Sequence, residues 1–360
     1  MLKTSIMVKD LERQGVEALR LLLEQVPTIN LLDIEREALA LDRGVHIVAH
    51  LDLAGTRHAL LCEVKPSGQP RHVRMALLQL RDYVAHHAQN ASPVLIAPYL
   101  SRDAQALCRE QDVSYLDLEG NSRLMFGSVF IERQVASKPV AERRELRSLF
   151  KPKSAQVLRV MLRDPHRAWR VTELAKTAAV SLGHVSNVRS GLLDREWAHV
   201  SDDGLFLSEP GALLDAWSAV YEPPAGKQST FYTTLHGSAF EEVARRALRA
   251  DDGTGLAAFA SFSAAQWLAP YGRTGTQYFY ADDGGLERLR AALKLSSISK
   301  GENVLVTVLK DSGLFRDTVE PAPGAICTSP VQTYLDLATA GERGREAAEH
   351  LRHERLTWPK

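Results

Sequence analysis

The stretch SAQVLRVMLRDPHRAWRVTELAKTAAVSLGHVSNVRSGLLDREWAHVSDDGLFL, residues 154–207, decides how the chain is read. Ser154 to Leu162 has the spacing of a short amphipathic helix, and Val171-Thr172-Glu173-Leu174-Ala175 opens a second helix with Thr172 as its N-cap. After a turn around Ala179-Val180, Ser181 caps a third helix that runs to about Arg195, with Val185, Val188, Leu192 and Leu193 on its buried stripe. Trp197–Val200 and Leu205–Leu207 then flank Asp202-Asp203-Gly204, a hairpin turn signal.

Three helices followed by a hairpin give the element order of a winged helix-turn-helix. If the third helix enters a major groove, Ser181, His184, Ser186, Asn187 and Arg189 are the polar positions left facing base edges and phosphates. Asn187 can offer paired donor and acceptor groups to adenine, Arg189 can reach guanine or phosphate, and Gly183 leaves room for close backbone approach. Formal net charge is zero, but the distribution is uneven: from Lys138 to Arg170 there are ten Lys or Arg against Glu142, Glu145 and Asp164. Lys151, Lys153, Arg167 and Arg170 from this stretch are candidate phosphate contacts. The competing expectations are a solvated charged surface and a helix group that docks protein rather than DNA.

At 360 residues the chain is long enough for two or three domains, and three are expected: 1–137, 138–222 and 223–360. With 45% hydrophobic and 24% charged residues, each should bury a real core. The opening MLKTSIMVKDLERQGVEALRLLLEQ interrupts its apolar residues with charge every few positions. It reads as neither signal peptide nor membrane span, and a cytoplasmic location is expected. Cys62, Cys108 and Cys327 form no CxxC pair and are expected as buried free thiols.

Residues 1 to about 135 read as an α/β domain. Leu11–Gln25 has helical spacing, Val45–Leu53 and Arg57–Val64 form a hairpin about Ala54-Gly55-Thr56, and Arg71–Gln89 is helical. Pro93–Pro98, Asp103–Gln111 and Ser114–Leu118 follow as strand, helix and strand. Glu63-Val64-Lys65 ends a strand, and Gln79-Leu80-Arg81-Asp82-Tyr83 lies on the next helix. An ExK followed by QxxxY resembles the PD-(D/E)XK, restriction-endonuclease-like superfamily. The resemblance implies Glu63 as a metal ligand, Lys65 steadying a nucleophilic water, and Gln79 and Tyr83 beside them. That superfamily also needs an acidic ligand on the preceding strand. Asp52 is expected opposite about His58, roughly 16 Å along the strand from Glu63, while His46 lies across from the ExK. Imidazole is a poor ligand for a hard magnesium ion, and Asp33 or Asp42 would have to reach in from elsewhere. The expectation is a nuclease-like fold that has lost, or nearly lost, cleavage; a surface ion pair that happens to read ExK is the alternative.

A charged, proline-containing stretch, Val135–Lys153, reads as a connector, and Glu222-Pro223-Pro224-Ala225-Gly226-Lys227 marks a second boundary. Beyond it the chain looks α/β, with strands at Gln277–Ala281 and Val304–Leu309 and helices at Gly285–Leu295, Val331–Thr339 and Arg343–Arg355. Asp282-Asp283 reads as a solvated turn. His236, His350 and His353 read as surface residues, and Trp267, Tyr271, Tyr278 and Tyr280 as core or interface. The segments FASFSAAQWLAPY (259–271) and SPVQTYLDL (329–337), with GERGREAAE (341–349), resemble the AbiEi-type antitoxins and transcriptional regulators of type IV toxin-antitoxin systems. That resemblance, taken as covering about 200 residues including the winged helix, implies repression of the protein's own promoter and opposition to a nucleotidyltransferase toxin without required contact with it.

Two readings from different classes follow. A sequence-specific double-stranded DNA-binding regulator needs no cofactor to bind; its outer domains would sense, form a homodimer or widen the footprint, and no membrane is involved. A metal-dependent nuclease aimed by the winged helix would require Mg2+ or Mn2+ and Glu63 and Lys65. An adaptor using these folds for protein contacts alone ranks last.

Overall fold

The computed structural model describes residues 2–36, 45–87, 90–135, 139–249, 255–272, 274–297 and 301–358. The chain forms two compact units, Met1–Glu142 with Leu193–Glu196, and Arg143–Leu192 with Trp197–Lys360.

The N-terminal unit runs α1 (Leu2–Leu23), β1 (Ile29–Arg36), β2 (Ile47–Leu53), β3 (Thr56–Val64), α2 (Pro70–His87), β4 (Ala91–Ala97), α3 (Arg102–Glu110), β5 (Ser114–Asp117), β6 (Ser122–Phe126) and β7 (Val129–Arg133). Its seven strands pair in chain order. β3, β4 and β5 are mutually parallel and the flanking pairs antiparallel. Strand alternation sorts the central apolar run: Val94 and Ile96 pack with Leu19 and Leu23 of α1, while Leu95 and Ala97 pack with Val73 and Leu80 of α2. β4 is therefore covered on both faces, which explains its unbroken hydrophobic sequence. β1, β6 and β7 add to the strands expected from sequence. In β1 the polar residues Asp33, Glu35 and Arg36 fall on an edge strand that buries little, so alternation is weak there.

The β2–β3 hairpin differs from expectation by one residue. Leu53 pairs with Thr56, so the loop is Ala54-Gly55 alone, and Asp52 stands opposite Arg57 rather than His58. Both loop residues have positive φ, 53° and 87°, as a tight hairpin matching strand twist requires. Asp52 Oδ1 accepts from the Gly55 amide at 3.1 Å and so closes the turn.

The Val135–Lys153 stretch is a second correction, because α4 (Val140–Leu149) occupies most of it. Glu142, Leu146 and Leu149 are its buried positions. A carboxylate in the first of them, and a proline on either side, disguised a helical stripe as a linker.

The C-terminal unit continues with α5 (Pro152–Arg163), α6 (Val171–Ala178), α7 (Leu182–Asp194), β8 (Ala198–Ser201), β9 (Gly204–Leu207) and α8 (Pro210–Ala219). The backbone of Trp169 bridges Leu205, each amide donating to the other's carbonyl at 2.8 and 2.9 Å. This bridge holds the chain extended up to Arg170, so α6 starts at Val171 and Thr172 is its second residue; Arg170 is the cap position and makes no side-chain capping bond. Gly204, at φ 142°, lies so close that a Cβ there would sit 2.4 Å from the Trp169 carbonyl oxygen. The sequence placed Gly204 in the turn, but it opens β9 and Asp202-Asp203 form the loop.

The remainder forms a six-stranded mixed sheet in the order β10-β13-β12-β11-β15-β14. Its elements are β10 (Gly226–Phe231), α9 (Gly237–Arg249), β11 (Ala257–Phe259), α10 (Ser261–Leu268), β12 (Gln277–Ala281), α11 (Asp283–Leu293), β13 (Val304–Leu309), a 3-10 turn Ser312–Asp317, β14 (Thr318–Val319), β15 (Cys327–Thr328), α12 (Pro330–Ala338) and α13 (Gly341–Arg355). Asp282 is not a solvated turn residue. It caps α11, its Oδ1 accepting from the amides of Gly285 at 2.7 Å and Leu256 at 2.8 Å. The three cysteines are buried and free, and burial raises each thiol's pKa. Among the described residues no helix is long and apolar enough to cross a membrane.

Helix α5 corrects another expectation. Every residue from Ser154 to Leu162 is buried, so it is not amphipathic in place. Arg159, one of the ten cations of the Lys138–Arg170 stretch, lies against α12, where its Nη1 donates to Gln332 Oε1 at 3.1 Å. Gln332 in turn donates to Tyr221 Oη at 2.7 Å and to Asp336 Oδ1 at 3.0 Å. Asp336 Oδ1 also accepts from Tyr221 at 2.5 Å and Tyr280 at 3.0 Å, whereas its Oδ2 has no hydrogen-bond partner among the described residues. Burial pushes the Asp336 carboxyl up to about 6, against the opposing pull of these donors and of Arg159.

A carboxyl raised in the folded state contributes stability that is complete below its ordinary value of 3.8 and lost as pH rises through about 6. Asp336→Asn should remove this dependence. Measured by urea unfolding, the stability of the variant relative to the parent should improve by up to about 3 kcal/mol between pH 4 and pH 7.5. A difference that does not vary with pH would show that Asp336 titrates normally.

Candidate functional site

In the N-terminal unit, Glu63 near the end of β3 and Lys65 just beyond it lie on the face covered by α2. Glu63 is fully buried and pairs with Lys65 Nζ, and Lys65 donates to Gln79 Oε1 of α2 at 3.3 Å. Three of the four residues singled out in the ExK and QxxxY patterns thus meet. Tyr83, one turn further along α2, is half-buried against the core beneath that helix. Burial raises the Glu63 carboxyl pKa, and the hydrogen bond and charge of Lys65 oppose the rise. His46 precedes β2; its amide donates to Cys62 O at 2.9 Å, and its Nδ1 accepts from the Val64 amide at 3.1 Å. Burial lowers the imidazole pKa, Glu12 of α1 opposes this, and Lys65 reinforces it. Glu12 is a participant that the sequence reading missed.

The divalent metal implied by the PD-(D/E)XK resemblance does not fit these residues. Among the described residues no group of three or more His, Cys, Asp or Glu stands within reach of one ion. Glu63 is already engaged by a lysine. With Asp52 opposite Arg57, about 20 Å of strand separates it from Glu63. Asp33 pairs with His50, far from the ExK end, and its Oδ1 accepts from the neighbouring Ile34 amide. Asp42 lies outside the described residues. The cluster carries an ion pair whose carboxylate is buried and whose lysine is partly exposed, and no hydrolytic step follows from it.

In the C-terminal unit, α7 buries Val185, Val188 and Leu192 and exposes Ser181, His184, Ser186 and Asn187, with Arg189 half-buried. Ser181 Oγ accepts from the His184 amide at 3.3 Å and lies 2.8 Å from His184 Nδ1, so the serine both caps the helix and steadies the imidazole. Arg167 stacks 3.9 Å over the Trp169 ring and pairs with Glu173, and Arg170 is exposed one residue beyond. The remaining candidates go elsewhere. Lys153 pairs with Asp311 at 3.2 Å, and Lys151 borders a cleft beside β13. Arg159 and Arg163 both face Asp317. Several members of the basic stretch therefore serve the interior of the unit, and Lys138 lies outside the described residues.

The other polar candidates are accounted for locally. His236 and His353 are exposed, whereas His350 is half-buried with its ring 5.3 Å from that of Tyr271. Trp267 packs near Phe259, Tyr278 near Phe262, and Tyr280 enters the Asp336 network.

Residues 207–357 match the family model described as "Transcriptional regulator, AbiEi antitoxin, Type IV TA system". The match extends from the last residue of β9 through α13, a narrower span than the expected 200 residues, and α5–α7 precede it. No curated protein matches the chain. Among solved structures the chain is similar to "Structure of EndoMS in apo form", with 17% sequence identity, a TM-score of 0.21, and coverage of 28% of this chain and 44% of that one. This chain therefore spans less than half the length of the solved chain it matches, and its C-terminal part, residues 207–357, is similar to the AbiEi antitoxin and transcriptional-regulator family.

Proposed function

We propose that α5–α7 with the β8–β9 hairpin form a winged helix-turn-helix that binds double-stranded DNA, and that the chain is a transcriptional regulator of the antitoxin type that represses its own promoter. The observation that carries this reading is the sidedness of α7. Its apolar stripe is buried while Ser181, His184, Ser186 and Asn187 stand exposed at and beyond its N-terminal end, where a recognition helix meets base edges. The antiparallel contact of Trp169 with Leu205 adds the third short strand that such a wing uses, and it places Arg167 and Arg170 next to the hairpin. The similarity of residues 207–357 to a family of transcriptional regulators supports the same reading independently of α7.

In this reading Ser181, His184, Ser186, Asn187 and Arg189 contact DNA, with Arg167 and Arg170 on phosphates. Binding needs no metal. The N-terminal unit contributes a nuclease-like sheet without cleavage, and contact with a toxin is not required.

Two expectations follow. Asn187→Ala and Arg189→Ala should each weaken binding to the protein's own upstream DNA by about 1–3 kcal/mol per lost base contact, read by gel shift against a scrambled duplex. Equal losses on both duplexes would assign the pair to phosphate contacts instead. The specific shift should survive EDTA, leave the DNA intact in Mg2+ or Mn2+, and be unchanged by Glu63→Ala. Metal-dependent cutting abolished by that substitution would instead make the N-terminal unit a nuclease.

A further inference from the structure

The C-terminal unit contains a cleft of about 370 Å3 between the start of α5, the end of α8 and the loop that follows β13. Its apolar walls include Leu314, Pro223 and Pro224, and the Phe150 and Trp217 rings, stacked with centroids 5.3 Å apart and planes 4° from parallel. Arg159, Gln156 and Gln332 line the same cleft and are each more than nine-tenths buried. Arg147, Lys151 and Lys310 are exposed along it.

The charges do not balance. Of the two lining carboxylates, Glu222 lies 3.8 Å from Arg147, and Asp311 pairs with Lys153. Lys151 and Lys310 keep no such partner among the described residues. Among the described residues Arg159 makes one side-chain hydrogen bond, to Gln332, and its Nε has none. Asp317 approaches no closer than 3.8 Å and is shared with Arg163. Of the five N–H donors of a guanidinium, the one on Arg159 Nε is buried without an acceptor, which is costly. Gln156 Oε1 is likewise buried without a partner.

We propose that this cleft binds a small planar organic anion. Its carboxylate would be received by Arg159 at depth, its ring system would lie along the Phe150–Trp217 stack and Leu314, and Lys151 and Lys310 would attract it at the mouth. The volume suits one or two fused rings and excludes a dinucleotide. The apolar walls disfavour a bare inorganic anion, and the buried guanidinium disfavours a neutral ring. The site is independent of the DNA contacts assigned to α7 and stands or falls without them.

The test is isothermal titration calorimetry of the full chain with 2-naphthoate and, in parallel, its neutral counterpart 2-naphthamide. The acid should bind saturably at one site and at least roughly tenfold more tightly than the amide. Arg159→Gln should abolish that preference. Because Arg159 also braces α12, Lys310→Glu at the exposed rim serves as the second variant, expected to weaken 2-naphthoate several-fold while leaving the melting temperature unchanged. Equal affinity for acid and amide, no saturable binding of the acid at millimolar concentration, or indifference to Lys310→Glu would each overturn the proposal.

Discussion

The C-terminal unit depends on keeping an arginine charge inside. Arg159 sits midway along a helix with no solvent-facing side, and an isolated buried cation is costly enough that the residues around it must answer for it. Asp317 supplies countercharge at some distance, Gln332 accepts one hydrogen bond, and Gln332 relays the contact to Asp336, on which two tyrosines converge. These partners come from the loop after α8, β12, α12 and the 3-10 turn, so a single buried charge gathers several of the unit's layers. The cost falls on Asp336, whose carboxyl is held in a setting that favours its protonated form.

The N-terminal unit solves a different problem with the same economy of parts. Its central strands alternate strictly between two helical layers, and this alternation brings Glu63 and Lys65 beneath α2 beside Gln79. A divalent metal at the end of β3 would need a second carboxylate beside Glu63. The two-residue hairpin fixes the register so that a histidine, not an aspartate, arrives there. Asp52, the acidic residue nearest in sequence, instead closes its own turn.

Much of this could be read from the residues because it depends on short-range spacing. The strands Gln277–Ala281 and Val304–Leu309 are compact apolar runs and lie where the sequence puts them. The contact of Lys65 with Gln79 follows from an ExK at a strand end and a glutamine on the next helix, and the cap formed by Ser181 is local. Long-range partners left no such trace. Gln332 is 173 residues from Arg159, so nothing near Arg159 in sequence distinguished it from the exposed Arg163 and Arg167. The one available signal was the i, i+4 pair Gln332 and Asp336 within a helix that is otherwise apolar on that side, a polar stripe that needs an internal partner. Glu12 was missed for a similar reason: the register of α1 over β2 is set by packing. The α4 helix escaped because its buried stripe starts with a glutamate.

Small helical groups are commonly treated as cassettes that recombine freely with other domains. Helix α5 argues against that here. Nine successive residues of it are buried, with the sheet-side layer covering what would otherwise be its outward face. Excised at the Pro223-Pro224 loop, the segment would bring a hydrophobic surface and an unpaired arginine into water. The helix group and the six-stranded sheet therefore share buried surface through α5, and neither can be separated from the other without exposing it.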